Sequence, residues 1–253
     1  MAHSLLISFH HTSVFGIFFN SEFATALWKG LKEMQPEELI AAVLSFWCVV
    51  LAAKNSIWNW PVAMMGSIIY VTVFFKSGLY SDAILNVVFV FFQLYGWIGW
   101  QKNSLALGQF KPSFGPSKSV LKVLFVALLI YPFWVYLVSA GFGNAIAALF
   151  SGADFFNSFN TQGSIVVAPR FIYVDAMLLL LSLSALFMQS KKWIQNWILW
   201  IVIDVIYVPV YWLNQNYITA VLYLIYIPLA VKGYQMWVNE SKEISLGERS
   251  TID

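Results

Sequence analysis

Charge is what this sequence has least of. Of its 253 residues only 10% are Asp, Glu, Lys or Arg, while 60% are apolar and 18% aromatic. An ordinary soluble domain carries about 25% charged residues. A soluble protein of this length cannot cover its surface with so few, so the chain reads as an integral membrane protein. The net charge of +2 is too small to support a nucleic-acid partner. A single cysteine, Cys48, excludes an intramolecular disulfide, and its apolar flanks make it a packing residue. His3, His10 and His11 lack the cysteine or carboxylate spacing of a metal site. No glycine-rich phosphate loop and no nucleophile–base pair is present, so neither an enzyme nor a bound metal or cofactor is expected.

What the chain does have is an internal repeat. Residues 59–100 laid on residues 196–237, a gapless shift of 137 positions, bring Asn59-Trp60 onto Asn196-Trp197. The same register pairs Tyr70 with Tyr207, Tyr80 with Tyr217, Gly96 with Gly233 and Trp100 with Trp237. Leucines and valines coincide by chance in membrane proteins; these residues do so far less easily. A repeat of this kind in an apolar chain points to a transporter or channel built from two related bundles.

Seven stretches approach the roughly 20 apolar residues needed to cross a bilayer: 36–53, 58–75, 80–101, 120–140, 170–189, 195–213 and 217–237. Residues 1–35 read as an N-terminal interfacial segment containing a short amphipathic helix, ATALWKGLKEM. They have no basic opening and no small-residue cleavage site, so a cleaved signal peptide is not expected. Residues 36–101 form a first three-helix bundle. Residues 102–169 hold a polar loop, a linker helix at 120–140 and an outside connection at 141–169. Residues 170–238 form the second bundle and 239–253 a short charged tail. Equivalent helices lie four crossings apart, so both halves point the same way through the membrane. The fold class is all-α with seven transmembrane helices in a 3+1+3 parallel repeat. Ten basic residues, among them Lys54, Lys102, Lys111, Lys118, Lys191 and Lys192, fall on the side of the C-terminus, against Lys29, Lys32, Lys76 and Arg170 on the other. That bias puts the C-terminus in the cytoplasm and the start of the first span outside.

Polar side chains at membrane depth are costly and mark function by default. The third span offers Asn86 and Gln93, the sixth Asp204. At about 100° per residue, Asn86, Gln93, Trp97 and Trp100 share one face of the third span. Trp197, Trp200, Asp204, Tyr207 and Tyr211 share a face of the sixth, and Tyr223, Tyr226, Tyr234 and Trp237 one of the seventh. If the stripes converge, Asn86, Gln93, Trp97, Trp200, Asp204, Tyr207, Tyr211, Tyr223 and Tyr226 form an aromatic box with amide and carboxylate contacts. Asp204 stands out because its repeat counterpart is Ser67. Trp58, Trp60, Trp100, Trp193 and Trp237 sit at span ends and read as an interfacial belt. No lysine or arginine lies in the middle of a span, so nothing neutralises a substrate phosphate. The expected cargo is flat and polar, uncharged or cationic; aromatic faces suit a cation.

Several segments carry a family resemblance: LYSDAILN and YGWIGW in the third span, NWILWIVIDVIY in the sixth, NYITAVLYLIY and KGYQMW in the seventh. Over residues 36–238 the chain resembles the Pnu family of bacterial vitamin transporters, and most of all its nicotinamide riboside type. The resemblance implies a multi-pass protein of the bacterial inner membrane with the 3+1+3 arrangement shared with the SWEET sugar transporters. It implies facilitated uptake of the riboside, a precursor for NAD synthesis, with a cytoplasmic kinase trapping the product. Relatives carrying thiamine or riboflavin, and a proton-coupled carrier using Asp204, are the alternatives. In that setting the aromatic faces hold the pyridinium ring. Asn86 and Gln93 pair with the carboxamide, and Asp204 accepts ribose hydroxyls or faces the cation. The partners are the small-molecule substrate and the lipid bilayer; homo-oligomerisation stays open. A retinal-binding pump of similar length needs a lysine midway along its last span, where this chain has Lys232 near the end.

Overall fold

The computed structural model describes residues 21–76, 80–107, 110–139, 172–213 and 216–250. The expected outside connection at 141–169, and residues 1–20 of the N-terminal segment, fall outside the described residues. Eight helices are described: α1 (Ser21–Glu33), α2 (Pro36–Ala53), α3 (Asn59–Lys76), α4 (Tyr80–Leu107), α5 (Ser117–Ser139), α6 (Ile172–Ser190), α7 (Asn196–Leu213) and α8 (Tyr217–Ser250). Six of them, α2 and α4 to α8, are long and apolar enough to cross a membrane. α3 has 18 residues, but Asn59, Trp60 and Pro61 at one end and Lys76 at the other dilute its apolar run. Two helices overrun their expected ends. α4 continues to Leu107 because Gln101–Leu107 contains no helix breaker, and α8 runs to Ser250 through the charged tail, which has no proline and a single glycine, Gly247.

The repeat is visible atom by atom in the hairpin turns. α2 starts at Pro36, whose missing N–H costs nothing in the first turn, with Glu37 and Glu38 beside it. It ends where Asn55 adopts a left-handed φ of 54°. There the Asn55 amide donates to Ala52 O and the Ser56 amide to Leu51 O, both at 2.9 Å. This reciprocal pair closes a helix C-terminus. One repeat further on, Lys192 has φ 53°. Its amide donates to Gln189 O and that of Trp193 to Met188 O, again at 2.9 Å. Asparagine tolerates this backbone region better than lysine does. Lys192 is held there by its side chain: Nζ donates to Phe110 O at 2.6 Å and stands 4.1 Å from the Trp100 ring centre. Burial pushes its ammonium pKa down to about 8, with Glu240 acting against the shift.

The doubled Asn-Trp has a structural reason. Asn59 Nδ2 donates to Ser56 O and Asn196 Nδ2 to Trp193 O, each at 2.6 Å, so each amide ties a turn to the helix it opens. Trp60 then meets Trp100 edge-on at 5.4 Å and 89°. Trp197 meets Trp237 at 5.5 Å and 89°. Edge-to-face pairs of this kind are worth about 0.5–1.5 kcal/mol beyond their buried area. Trp100 Nε1 donates across to Gln189 O at 3.1 Å, and Trp237 Nε1 across to Ala52 O at 3.0 Å. Each half thus holds the end of the first helix of the other.

These contacts correct the belt assignment. Trp60, Trp100 and Trp237 are fully buried at the joint between the halves, whereas Trp58 is 65% exposed. Trp193 packs edge-on to Phe187 at 6.2 Å. The buried indoles sit inside because Gly96 and Gly233 leave slots for Trp60 and Trp197. The N–H groups of Trp100 and Trp237 find last-turn carbonyls, which helices leave open.

Packing follows the same symmetry. α2, α3 and α4 pack in succession, as do α6, α7 and α8, and the halves meet through α2 against α8 and α4 against α6. α5 packs against α6 and leaves Leu121, Phe125, Leu128 and Phe133 more than half exposed. Such a face suits lipid and not water. The segment before α5 is strapped to the α6–α7 turn. Ser113 exchanges backbone bonds with Lys192 and Ile194, both 3.0 Å, and the Gln195 side chain brackets Gly115 at 2.9 and 3.0 Å.

Candidate functional site

The helical stripes converge in part. Four tyrosines gather between α7 and α8. Tyr223 lies 4.6 Å from Tyr207 and 5.3 Å from Tyr211, the latter pair stacked within 11°. Tyr207 and Tyr211 are themselves 5.3 Å apart, and Tyr226 meets Tyr223 edge-on at 5.8 Å and 82°. They sit together because 207 and 211, one turn apart on α7, face 223 and 226 on α8.

Asp204 lies one turn below Tyr207 and is only 4% exposed. Its electrostatic neighbours are Tyr223 and Tyr226. Neither a basic group nor a hydrogen-bond donor among the described residues stands against its carboxylate. Tyr226 reaches further. Its hydroxyl has Tyr70 and Cys48 of the first half as electrostatic neighbours, and it is buried without a hydrogen-bond partner among the described residues. Tyr70 is the repeat counterpart of Tyr207, and Ser67 that of Asp204. The site is therefore flanked by the same two helical positions taken once from α3 and once from α7.

Gln93 joins from α4. Its Nε2 donates to Ser67 Oγ at 3.0 Å, and its Oε1 is buried without a partner among the described residues. Gln93 is therefore left with an open acceptor at Oε1 beside the second N–H of its Nε2. Asn86 is half-buried on the same helix. Trp97 and Trp200 pack instead around the buried tryptophan cluster, and Trp200 also touches the apolar cluster that includes Tyr207. They belong to the wall nearer the α2–α3 and α6–α7 turns.

The sequence stripes did not single out Tyr70 or Ser67. The signal was present, since both are repeat images of residues that were singled out. Among the described residues no group of His, Cys, Asp and Glu has the geometry to hold a metal.

The arrangement can stack a flat ring, offer an acceptor at Gln93 and a donor at Tyr226, and present one carboxyl group at Asp204. The chain is similar to known proteins over most of its length. The family described as "Nicotinamide mononucleotide transporter" matches residues 35–239. The nicotinamide riboside transporter PnuC of Escherichia coli is 26% identical over 217 residues, 81% of this chain and 86% of that protein. The riboflavin/roseoflavin transporter RibM of Streptomyces davaonensis is 21% identical over 208 residues, 82% and 87% of the two chains. A crystal structure of the vitamin B3 transporter PnuC shares the fold, with a TM-score of 0.58 at 18% identity over 96% of this chain and 98% of that one. The family match spans all of the chain but its two ends, and the chain belongs to the nicotinamide mononucleotide transporter family of multi-pass membrane transporters.

Proposed function

We propose that this protein takes up nicotinamide riboside by facilitated diffusion across the bacterial inner membrane. Seven spans, α2 to α8, act in a 3+1+3 parallel repeat. The site lies between the two bundles. The start of α2 faces outward and the C-terminus the cytoplasm. The contacts of α2 with α8 and of α4 with α6, related by the repeat, support the arrangement.

One observation carries the choice of substrate. Tyr207, Tyr211, Tyr223 and Tyr226 gather beside Asp204, and no lysine or arginine is among the electrostatic neighbours of Asp204, Tyr223 or Tyr226. Such a site suits a flat pyridinium cation with a ribose and disfavours a phosphate. It agrees with the riboside named for the E. coli relative over the mononucleotide in the family's description.

Calorimetry on purified protein tests this. The riboside should bind, with thiamine and riboflavin binding more weakly. Asp204→Asn, which keeps shape and removes charge, and Asn86→Leu, which removes the amide, should each weaken the riboside by roughly 1–3 kcal/mol. Parent-like binding by both variants places the site elsewhere.

Orientation has its own check. A cysteine at exposed Ser117 should resist a membrane-impermeant thiol reagent in intact cells. One at Ser158, in the connection outside the described residues, should react. The reverse pattern overturns the orientation.

A further inference from the structure

Asp204 is a buried position at which one half carries an acidic group and the other does not. On α3 its counterpart Ser67 accepts a hydrogen bond from Gln93 at 3.0 Å. The repeat counterpart of Gln93 is Ala230, 1% exposed, so α8 offers Asp204 no amide. The first half therefore pairs its two polar side chains with each other, whereas the second leaves a carboxyl 4% exposed with no amide and no counter-charge among the described residues. A charge held in low dielectric without a partner is strongly disfavoured, so a cation bound against Asp204 is what would hold its carboxylate ionised. Beside it stand tyrosine faces, whose quadrupoles attract cations. The stack of Tyr211 on Tyr223, 5.3 Å apart and 11° from parallel, offers flat surfaces matched to a planar ring.

We infer that Asp204 is a specificity-determining residue that reads the positive charge of the ring, so that the site discriminates an oxidised pyridinium nucleoside from its uncharged reduced form; this rests on the riboside reading of the site. Addition of a hydride to the pyridinium ring leaves the ribose and carboxamide unchanged and removes the positive charge. The reduced riboside is therefore a near-isosteric neutral probe. Hydrogen bonding to ribose by Asp204 would serve both forms alike, whereas a counter-charge serves the cation.

The test is the ratio of dissociation constants for dihydronicotinamide riboside and nicotinamide riboside, measured on the parent, Asp204→Asn and Asp204→Ser. The serine variant installs the residue the repeat itself uses at Ser67. The parent should prefer the cation by at least about tenfold, the equivalent of ~1.4 kcal/mol. Both variants should bring the ratio to within about threefold of unity. Equal affinities in the parent overturn the inference, and this outcome needs no variant to fold. A ratio that survives both substitutions while both ligands weaken together also overturns it, because Asp204 then acts through ribose or packing. A parent that binds neither form sinks the riboside reading and this inference with it. Equal binding of both forms sinks this inference alone.

Discussion

Nicotinamide mononucleotide should bind this protein at least about a hundredfold more weakly than nicotinamide riboside, a difference of ~2.7 kcal/mol by the rule that 1.4 kcal/mol is tenfold. The two ligands differ by one phosphate. Entering the site strips water from that group, and stripping water from an ion costs several kcal/mol even after relaxation. Recovery would need a guanidinium, an ammonium or a ring of backbone amides aimed at the oxygens. Among the described residues, Asp204, Tyr70 and Cys48 neighbour Tyr226, and Gln93 is bonded to Ser67, one turn from Tyr70; none of them is cationic. Lys192, the buried lysine of the α6–α7 turn, is engaged with Phe110 O and the Trp100 ring. Competition calorimetry measures the ratio. Equal affinity would mean that a basic group reaches the site.

The second large effect is on folding. A carbon added at Gly96 would lie 2.4 Å from the Trp60 ring, and one at Gly233 2.6 Å from that of Trp197. Carbon atoms in contact prefer about 3.5–4.0 Å, so something must move. Neither indole can move freely. Trp60 is pinned edge-on to Trp100, Trp197 edge-on to Trp237, and Trp100 and Trp237 are hydrogen-bonded across the joint. Gly96→Ala and Gly233→Ala should each cost about 1–3 kcal/mol, as overpacking of a filled core does. Gly233→Leu should leave little monodisperse protein, since small residues let membrane helices approach. Gly99→Ala is the control on the same helix as Gly96. Nothing lies within 4 Å of its added carbon, and replacing a mid-helix glycine by alanine gains about 0.5–1 kcal/mol. Thermal melting in detergent should therefore show Gly96→Ala and Gly233→Ala shifted down and Gly99→Ala unchanged or raised. A parent-like melt for Gly96→Ala contradicts the packing described.

How much of this was legible in the sequence depends on what each residue answers to. The repeat was legible because Asn-Trp, Gly and Trp are rare enough to mark register, and the hairpin turns repeat the same bonds from one half to the other. The depth of the tryptophans was not. Trp60, Trp100 and Trp237 stand at span ends, where position alone favours an interface. Their burial depends on glycines and carbonyls supplied by other helices, and only packing reveals those. The tyrosine cluster followed from spacing along α7 and α8, since residues one turn apart share a face. The separation of Trp97 and Trp200 from it did not, because a helical face says nothing about the height of each side chain. Asp204 was marked by the mismatch with Ser67. The companion mismatch of Gln93 with Ala230, which leaves its carboxylate without an amide, could also have been read from the register. The run of α4 to Leu107 and of α8 to Ser250 was hidden by polar residues that end a membrane span without ending a helix.

Uptake of labelled nicotinamide riboside into liposomes containing the purified protein tests the central claim most directly. Facilitated diffusion predicts that the internal concentration rises to match the external one and stops there, with or without an imposed pH gradient, and that protein-free liposomes stay empty. Accumulation above the external concentration when a pH gradient is applied would contradict it and make Asp204 part of a coupled carrier. Uptake no faster than in protein-free liposomes would contradict riboside transport itself.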